Sequence, residues 1–429
     1  MVALCLPVVF LHVRYQPGFA VRVGSTSANA YLSDFAVVGV AVAGFVAGAR
    51  KGFARLRRAR LVWGAAAAFL IWTFAGLAIG RHVSSAYPVY THAATAAKFT
   101  EYALLAPALP LVLRTVADLA TVLWSLTAWS VVASAVGVVQ FLGASILLHG
   151  RLGGRQGSFL SDADFSALSG AVLLIGLVAF ARTATFGRPL AVLATVTGAV
   201  GLVLGGAIAG ILGLATAVVV IAAVLIARGE LPRRTALAAL VVAVVAGVGV
   251  VALRGGDIAS FARFAGISSG GSKRERTVQT YAHRTLLAWI GLQVWRDHPV
   301  LGAGWEAAGD PDIFVPYLPA AHRHFPTEPA LAFPTRSHPY NVQNVWIEAL
   351  ADLGVVGLVL LVSMFAAVAA VGWQAARRLG EPAALLGLGW TALVVWLWTA
   401  QSFVAGIPLD AVTWLGFGLV ATGAARMER

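Results

Sequence analysis

Apolar runs alternate with short polar breaks along most of the chain. A helix needs roughly 20 residues to cross about 30 Å of hydrocarbon. Twelve runs fit that pattern, at about 2–13, 31–49, 61–80, 97–113, 119–142, 165–181, 189–205, 208–227, 235–253, 354–373, 383–400 and 409–424. The 189–227 stretch is about twice a single span, and Gly205-Gly206 offers it a tight turn. Met1–Val13 has no basic start and no clear small-residue cleavage site, so it reads as a retained span and not a signal peptide. Between Arg254 and Leu353 the pattern breaks. This stretch of about a hundred residues is polar and carries five of the nine histidines.

Within this excursion the periodicity predicts two helices. Ser268-Ser269-Gly270-Gly271-Ser272 is a flexible start, followed by Lys273, Arg274 and Arg276. Tyr281–Arg296, rich in Leu and Trp, reads as a helix ending at His298-Pro299. Leu301–Arg336 reads as an ordered coil that covers a site. Ser337–Leu353 reads as a second helix, with Pro339 suited to its first turn. On that helix Asn341, Asn344, Glu348 and Asp352 share one polar stripe, while Gln343 falls on the apolar face and needs partners.

The expected fold is an all-α integral membrane protein of about twelve transmembrane helices, with a large extracytoplasmic loop before the last three spans. Its parts are an N-terminal bundle of about nine spans (1–253), the loop with its helices (254–353) and three C-terminal spans (354–429). Composition agrees: 59% hydrophobic and 11% charged residues exclude an ordinary soluble domain.

Charge orients this bundle. The dense basic loop Arg50–Arg60 falls on one side in alternation with Arg182/Arg188, Arg228/Arg233/Arg234, Arg377/Arg378 and Arg426/Arg429. Short loops on the other side carry few basic residues. The positive-inside rule then puts both termini in the cytoplasm and the excursion outside the cytoplasmic (inner) membrane. Much of the +13 net charge is topogenic and does not point to nucleic acid. Cys5 is the one cysteine, which excludes an internal disulfide and a four-cysteine zinc site.

Chemistry concentrates on the outer side. His338 and Ser337 stand at the expected helix entrance, where free backbone N–H groups favour anions, with Arg336 and Tyr340 beside them. Arg151 and Arg155 share a short outer loop, and Arg284 opens the Trp-rich helix. Guanidinium forks fit phosphate oxygens; contact with lipid headgroups is the blander reading of each. His322, His324, His338 and Glu328 have unspecific spacing for a metal, and solvated loop histidines are commoner, so no metal or other cofactor is expected. No Walker-type phosphate loop, His-Glu-x-x-His pair or Gly-x-Ser-x-Gly elbow appears, which argues against an ATPase, a zinc protease or a serine hydrolase.

Several of these residues fall in recognisable runs. Arg284…Trp289…His298-Pro299-Val-Leu-Gly302-Ala-Gly304-Trp305 resembles a segment of the O-antigen ligase/polymerase superfamily. Gln343-Asn344, nine residues, then Gly354-x-x-Gly357 resembles that family's His-Asn, nine residues, Gly-x-x-Gly pattern. Arg155-x-Gly157-x-Phe159 resembles its earlier outer loop imperfectly. The resemblance implies a membrane glycosyltransferase that moves a glycan from a polyprenyl diphosphate to an acceptor hydroxyl on a glycan, lipid or protein, without a metal. By that resemblance Arg155 and Arg284 hold the diphosphate, and the family's functional histidine falls at position 343.

Here position 343 is Gln, which orients an acceptor but takes no proton near neutral pH. The expectation is therefore His338 as general base with Arg284 on the leaving group, and Arg155, Arg151, Gln343, Asn344, Tyr340 and Arg336 binding substrate. Two rivals remain: a transporter or flippase of the lipid-linked glycan, and a non-catalytic relative that binds the carrier lipid.

Overall fold

A computed structural model describes residues 2–23, 26–143, 152–231, 237, 241, 244–253, 255, 259, 280–403 and 408–428. The expected flexible start of the excursion, 268–272, and Arg151 lie outside these residues. Among them, seven helices are long and apolar enough to cross a membrane: Leu32–Lys51, Ala54–Val83, Val116–Phe141, Asp162–Ala181, Arg188–Gly205, Ile208–Ala227 and Val345–Leu379. Val244–Leu253, Pro382–Trp398 and Ala411–Ala424 are shorter apolar helices.

We number the main elements α1 (Val2–Val9), β1 (Gly18–Val23), β2 (Thr26–Tyr31), α2 (Leu32–Lys51), α3 (Arg60–Val83), α4 (Val89–Ala103), α5 (Leu105–Val112), α6 (Val116–Phe141) and α7 (Asp162–Ala181). There follow α8 (Arg188–Gly205), α9 (Ile208–Ala227), α10 (Val244–Leu253), α11 (Thr280–Asp297), α12 (Leu318–His324), α13 (Val345–Gln374), α14 (Pro382–Trp398) and α15 (Pro408–Ala424). The buried α7 packs against α8 and α14, and α13 packs against α3 and α11.

Four local outcomes depart from, or sharpen, the reading of the sequence. The first run forms only eight helical residues, α1, and is followed by an antiparallel hairpin pairing Gly18 with Tyr31 and Val23 with Thr26. The 97–113 run is two helices, α4 and α5, joined at Leu104. Pro107 has no N–H to give to the Ala103 carbonyl, which accounts for the break. The 189–227 run divides as its glycines predict, with Gly206 in the left-handed region at φ 59° after α8.

The last departure matters most for function. The returning helix starts at Val345, not Ser337. Asn344 is its cap, its side-chain oxygen accepting from the Ile347 N–H at 3.1 Å. Pro339 biases His338 towards an extended backbone, and Thr335–His338 forms a turn closed by two backbone hydrogen bonds. The polar stripe is accordingly shorter than expected, and its members Glu348 and Asp352 are buried.

The described part of the excursion is fastened to the bundle through backbone. Residues 299–304 run beside a kink in α13 at Gly354, whose φ is 67°. Val355 N donates to Pro299 O, Ala303 N to Ala351 O and Gly304 N to Asp352 O, at 2.8–3.0 Å. A Cβ on Gly354 would run into the Val300 carbonyl, and one on Gly304 into the Gly80 backbone of α3. The two glycine motifs of the sequence are thus two sides of one joint. Beyond it, Phe314, Ala321, Phe325 and Phe333 pack on Leu286, Leu287 and Ile290, the apolar face of α11.

Candidate functional site

A cavity of about 370 Å³ opens where α9, α11, α14 and the residues before α13 meet. Arg155, Arg284, Gln343 and Asn344 line it together with Thr285, Thr399 and Gln401. Ile208, Leu212, Ala288 and Leu397 give it an apolar flank. The lining is therefore amphipathic, suited to a ligand with a charged head and an apolar body.

Each polar side chain is held by a different element. Arg155 follows a loop and donates from Nε to the Gly205 carbonyl, 2.9 Å away at the end of α8. Its Nη1 stands 3.9 Å from Asp162. Arg284, in the second turn of α11, donates from Nε to Oε1 of Gln343 at 3.1 Å. Asn344 caps α13 and gives its amide N–H to the Thr399 carbonyl at 3.3 Å. Thr399–Phe403 continues from α14 as a strap beside the cavity, and Phe403 N donates to Glu348 at 2.7 Å. So Glu348, expected on a polar stripe, instead holds backbone.

Four of the site residues expected from sequence thus converge: Arg155, Arg284, Gln343 and Asn344. His338, Arg336 and Tyr340 do not line the cavity. His338 is exposed on its turn, with Nδ1 3.1 Å from the Ser337 hydroxyl. Arg336 pairs with Asp312 at 3.0 Å on the surface. Tyr340 packs edge-on against His283, ring centroids 4.7 Å apart. His283 is buried and donates from Nδ1 to the Ala332 carbonyl at 2.7 Å; burial holds its imidazole below the ordinary value. Neither a carboxylate nor an imidazole is among the described residues that line the cavity.

No group of three or more His, Cys, Asp or Glu side chains placed to hold a metal occurs among the described residues. His322 stacks on Phe333 and His324 on Trp289, with ring centroids 3.7 and 5.0 Å apart, so both serve packing.

One polar cluster escaped the reading of the sequence. His92, on α4, places Nδ1 3.3 Å from Glu306 and Nε2 3.0 Å from Asp310. Burial opposes the charge on His92, yet hydrogen bonds with Asp310 and Glu306 raise its pKa to about 9. Burial also pushes the Glu306 carboxyl above the usual carboxylate range, against the pull of His92. Tyr87 donates to the Trp305 carbonyl at 2.6 Å, and the Trp305 indole donates to Thr95 at 2.9 Å. Together these groups lock the loop after Gly304 onto α4. Nothing local in the sequence links Glu306 to a histidine 214 residues away.

The bundle and its cavity define a polytopic, helical membrane protein with an arginine-bearing amphipathic site. Residues 193–362 match the family described as O-antigen ligase, and this bears out the resemblance to the O-antigen ligase/polymerase superfamily, a group of glycan-transferring enzymes. The matched segment holds Arg284, Gln343, Asn344 and both glycine motifs, whereas Arg155 lies before it. None of the curated proteins compared matches the chain.

Proposed function

We propose that the chain is a membrane glycosyltransferase. It moves a glycan from a polyprenyl diphosphate to an acceptor hydroxyl at the outer face of the cytoplasmic membrane, with both termini in the cytoplasm. The observation that carries this reading is the meeting of Arg155 and Arg284, from distant parts of the chain, at one amphipathic cavity. Their guanidiniums suit a diphosphate, and the apolar flank suits the start of a polyprenyl chain.

In this reading the acceptor oxygen attacks the anomeric carbon, the bond from that carbon to the diphosphate oxygen breaks, and the electron pair leaves on the diphosphate. Arg155 and Arg284 stabilise the charge that grows there. Gln343, its carbonyl oxygen committed to Arg284, offers its amide N–H₂ to a sugar or acceptor hydroxyl. With no imidazole or carboxylate among the lining residues described, the acceptor proton passes to an oxygen of the departing diphosphate. His338 is then dispensable, although it was the base expected from the sequence.

The absence of a lining base among the described residues also favours a second reading, a relative that binds the carrier lipid without turnover. Purified full-length protein supplied with a polyprenyl-diphosphate-linked glycan and an acceptor separates the two. Release of free polyprenyl diphosphate supports transfer. Stoichiometric donor binding with no release supports the binding reading.

A further inference from the structure

A second cavity, of about 420 Å³, lies at the other end of the helices that line the first. Ala227 and Arg228 border it where α9 ends, while Ile208 and Leu212, at the start of α9, line the Arg155/Arg284 cavity. The 20 residues of α9 rise about 30 Å, the thickness of the hydrocarbon core. α13 repeats the relation: Asn344 caps one end, and Arg377 and Arg378 follow the other. The two cavities therefore stand about one membrane thickness apart.

The polar lining of the second cavity is three arginines, Arg228, Arg377 and Arg378. Arg228 is fixed in place. Its Nη2 donates to Glu230 and its Nη1 to the Arg377 carbonyl, both at 2.7 Å. Glu230 also accepts from Arg182 at 2.7 Å, and the hydrogen bond from Arg228, helped by Arg182, holds its carboxyl down to about 2. Glu230 is thus shared between two guanidiniums. Nε of Arg228 is buried and has no partner among the described residues. Arg377 and Arg378 are exposed on a π-helical turn, Ala375–Leu379. A Cβ on Gly380 would stand 2.6 Å from Nη2 of Arg228, so the guanidinium packs directly over this glycine.

Topogenic arginines account for charge on a loop, as in Arg50–Arg60. They do not account for guanidiniums from two separate connections brought to one cavity, one of them anchored at both of its terminal nitrogens. Such a set is built for an oxyanion that accepts several hydrogen bonds. We propose that this cavity binds a phosphate group, carried by an anionic phospholipid headgroup at the membrane surface opposite the Arg155/Arg284 cavity. The bound headgroup braces the ends of α9, whose start lines the first cavity, and of α13, whose cap Asn344 lines it.

Native mass spectrometry of the full-length protein tests this, with phosphatidylglycerol or phosphatidylcholine added, and with inorganic phosphate as competitor. The wild type should retain phosphatidylglycerol in preference to phosphatidylcholine. R377Q/R378Q should weaken that retention about tenfold or more, as loss of two charge-assisted bonds requires. R57Q/R58Q removes the same charge from the Arg50–Arg60 loop and should leave retention intact. R377K/R378K keeps the charge but not the fork, and should fall between, which covers the case in which the Gln pair fails to fold. Displacement of the lipid by inorganic phosphate supports a phosphate site that the headgroup fills, and binding of phosphate with no lipid retained assigns its source to the free ion. Retention of neither ligand, or equal weakening in the 57/58 and 377/378 pairs, overturns it.

Discussion

Nε of Arg284 donates to Oε1 of Gln343 across 3.1 Å, joining α11 to the residue just before the cap of α13. This bond fixes a guanidinium at the cavity and assigns the glutamine a role that an apolar residue could not fill. The two should act as a unit. Arg284→Ala should lower glycan transfer by about 10²–10³-fold, the usual cost of removing a preorganised charge at the reacting group. Gln343→Ala should cost less, and the double variant should lose little beyond R284A. Steady-state transfer rates in a double-mutant cycle measure this, and additive losses would show that the pair is uncoupled.

Gln343→Glu should be worse than Gln343→Ala. The carboxylate would hold Arg284 as an ion pair and repel the donor diphosphate. The loss should appear mainly in KM for the lipid-linked donor, rising about tenfold or more. An unchanged donor KM in Q343E would place the diphosphate elsewhere.

His338→Ala should leave transfer within about threefold of wild type, because His338 is exposed on the Thr335–His338 turn and does not line the cavity. A loss of 10²-fold or more, of the size general-base catalysis supplies, would restore the role that the sequence suggested.

The two cases show what the sequence made legible. Arg284, Gln343 and Asn344 were legible because they sit in local motifs beside the joint they serve, and Arg155 because it occupies an outer loop of the same resemblance. His338 was expected at a helix entrance because the helix start was read about two turns too early. Pro339 fits a first helical turn, but Asn344, with its cap bond to Ile347, fits the boundary better. The His92–Glu306–Asp310 cluster was not legible at all, since its members meet only once α4 and the 302–310 loop are packed. Likewise Glu348 read as part of a polar stripe, whereas its partner, the Phe403 amide, lies 55 residues on.

That cluster gives the fold a pH dependence. The pKa of His92 is raised from 6.5 to about 9, so its stabilising charge is fully present below pH 6.5 and is lost as pH rises through 9. Thermal unfolding of the purified protein should shift downward between pH 7 and 10, and His92→Gln should flatten that dependence. Equal slopes in wild type and variant would remove His92 as its source.

The glycine joint should tolerate no side chain. Gly304→Ala and Gly354→Ala each place a Cβ against backbone at a positive φ, and each should cost more than about 2 kcal/mol, seen as loss of folded protein in detergent. Gly247→Ala, with no atom of the described residues within 4 Å of its Cβ position, should express as wild type does. Normal yield of folded G304A would mean that residues 299–304 do not pack on α3 and α13 as described.

In the proposed reaction Arg155 and Arg284 together hold the leaving diphosphate in one cavity. The most direct measurement of this is the release of free polyprenyl diphosphate from a lipid-linked glycan by purified full-length protein, in wild type, R155A and R284A. Release in wild type should be coupled one-to-one to glycan transfer and should be lost in both variants with the protein still folded. Transfer that persists in both variants, or a wild type that moves the donor across the bilayer with the glycan still attached, would contradict it.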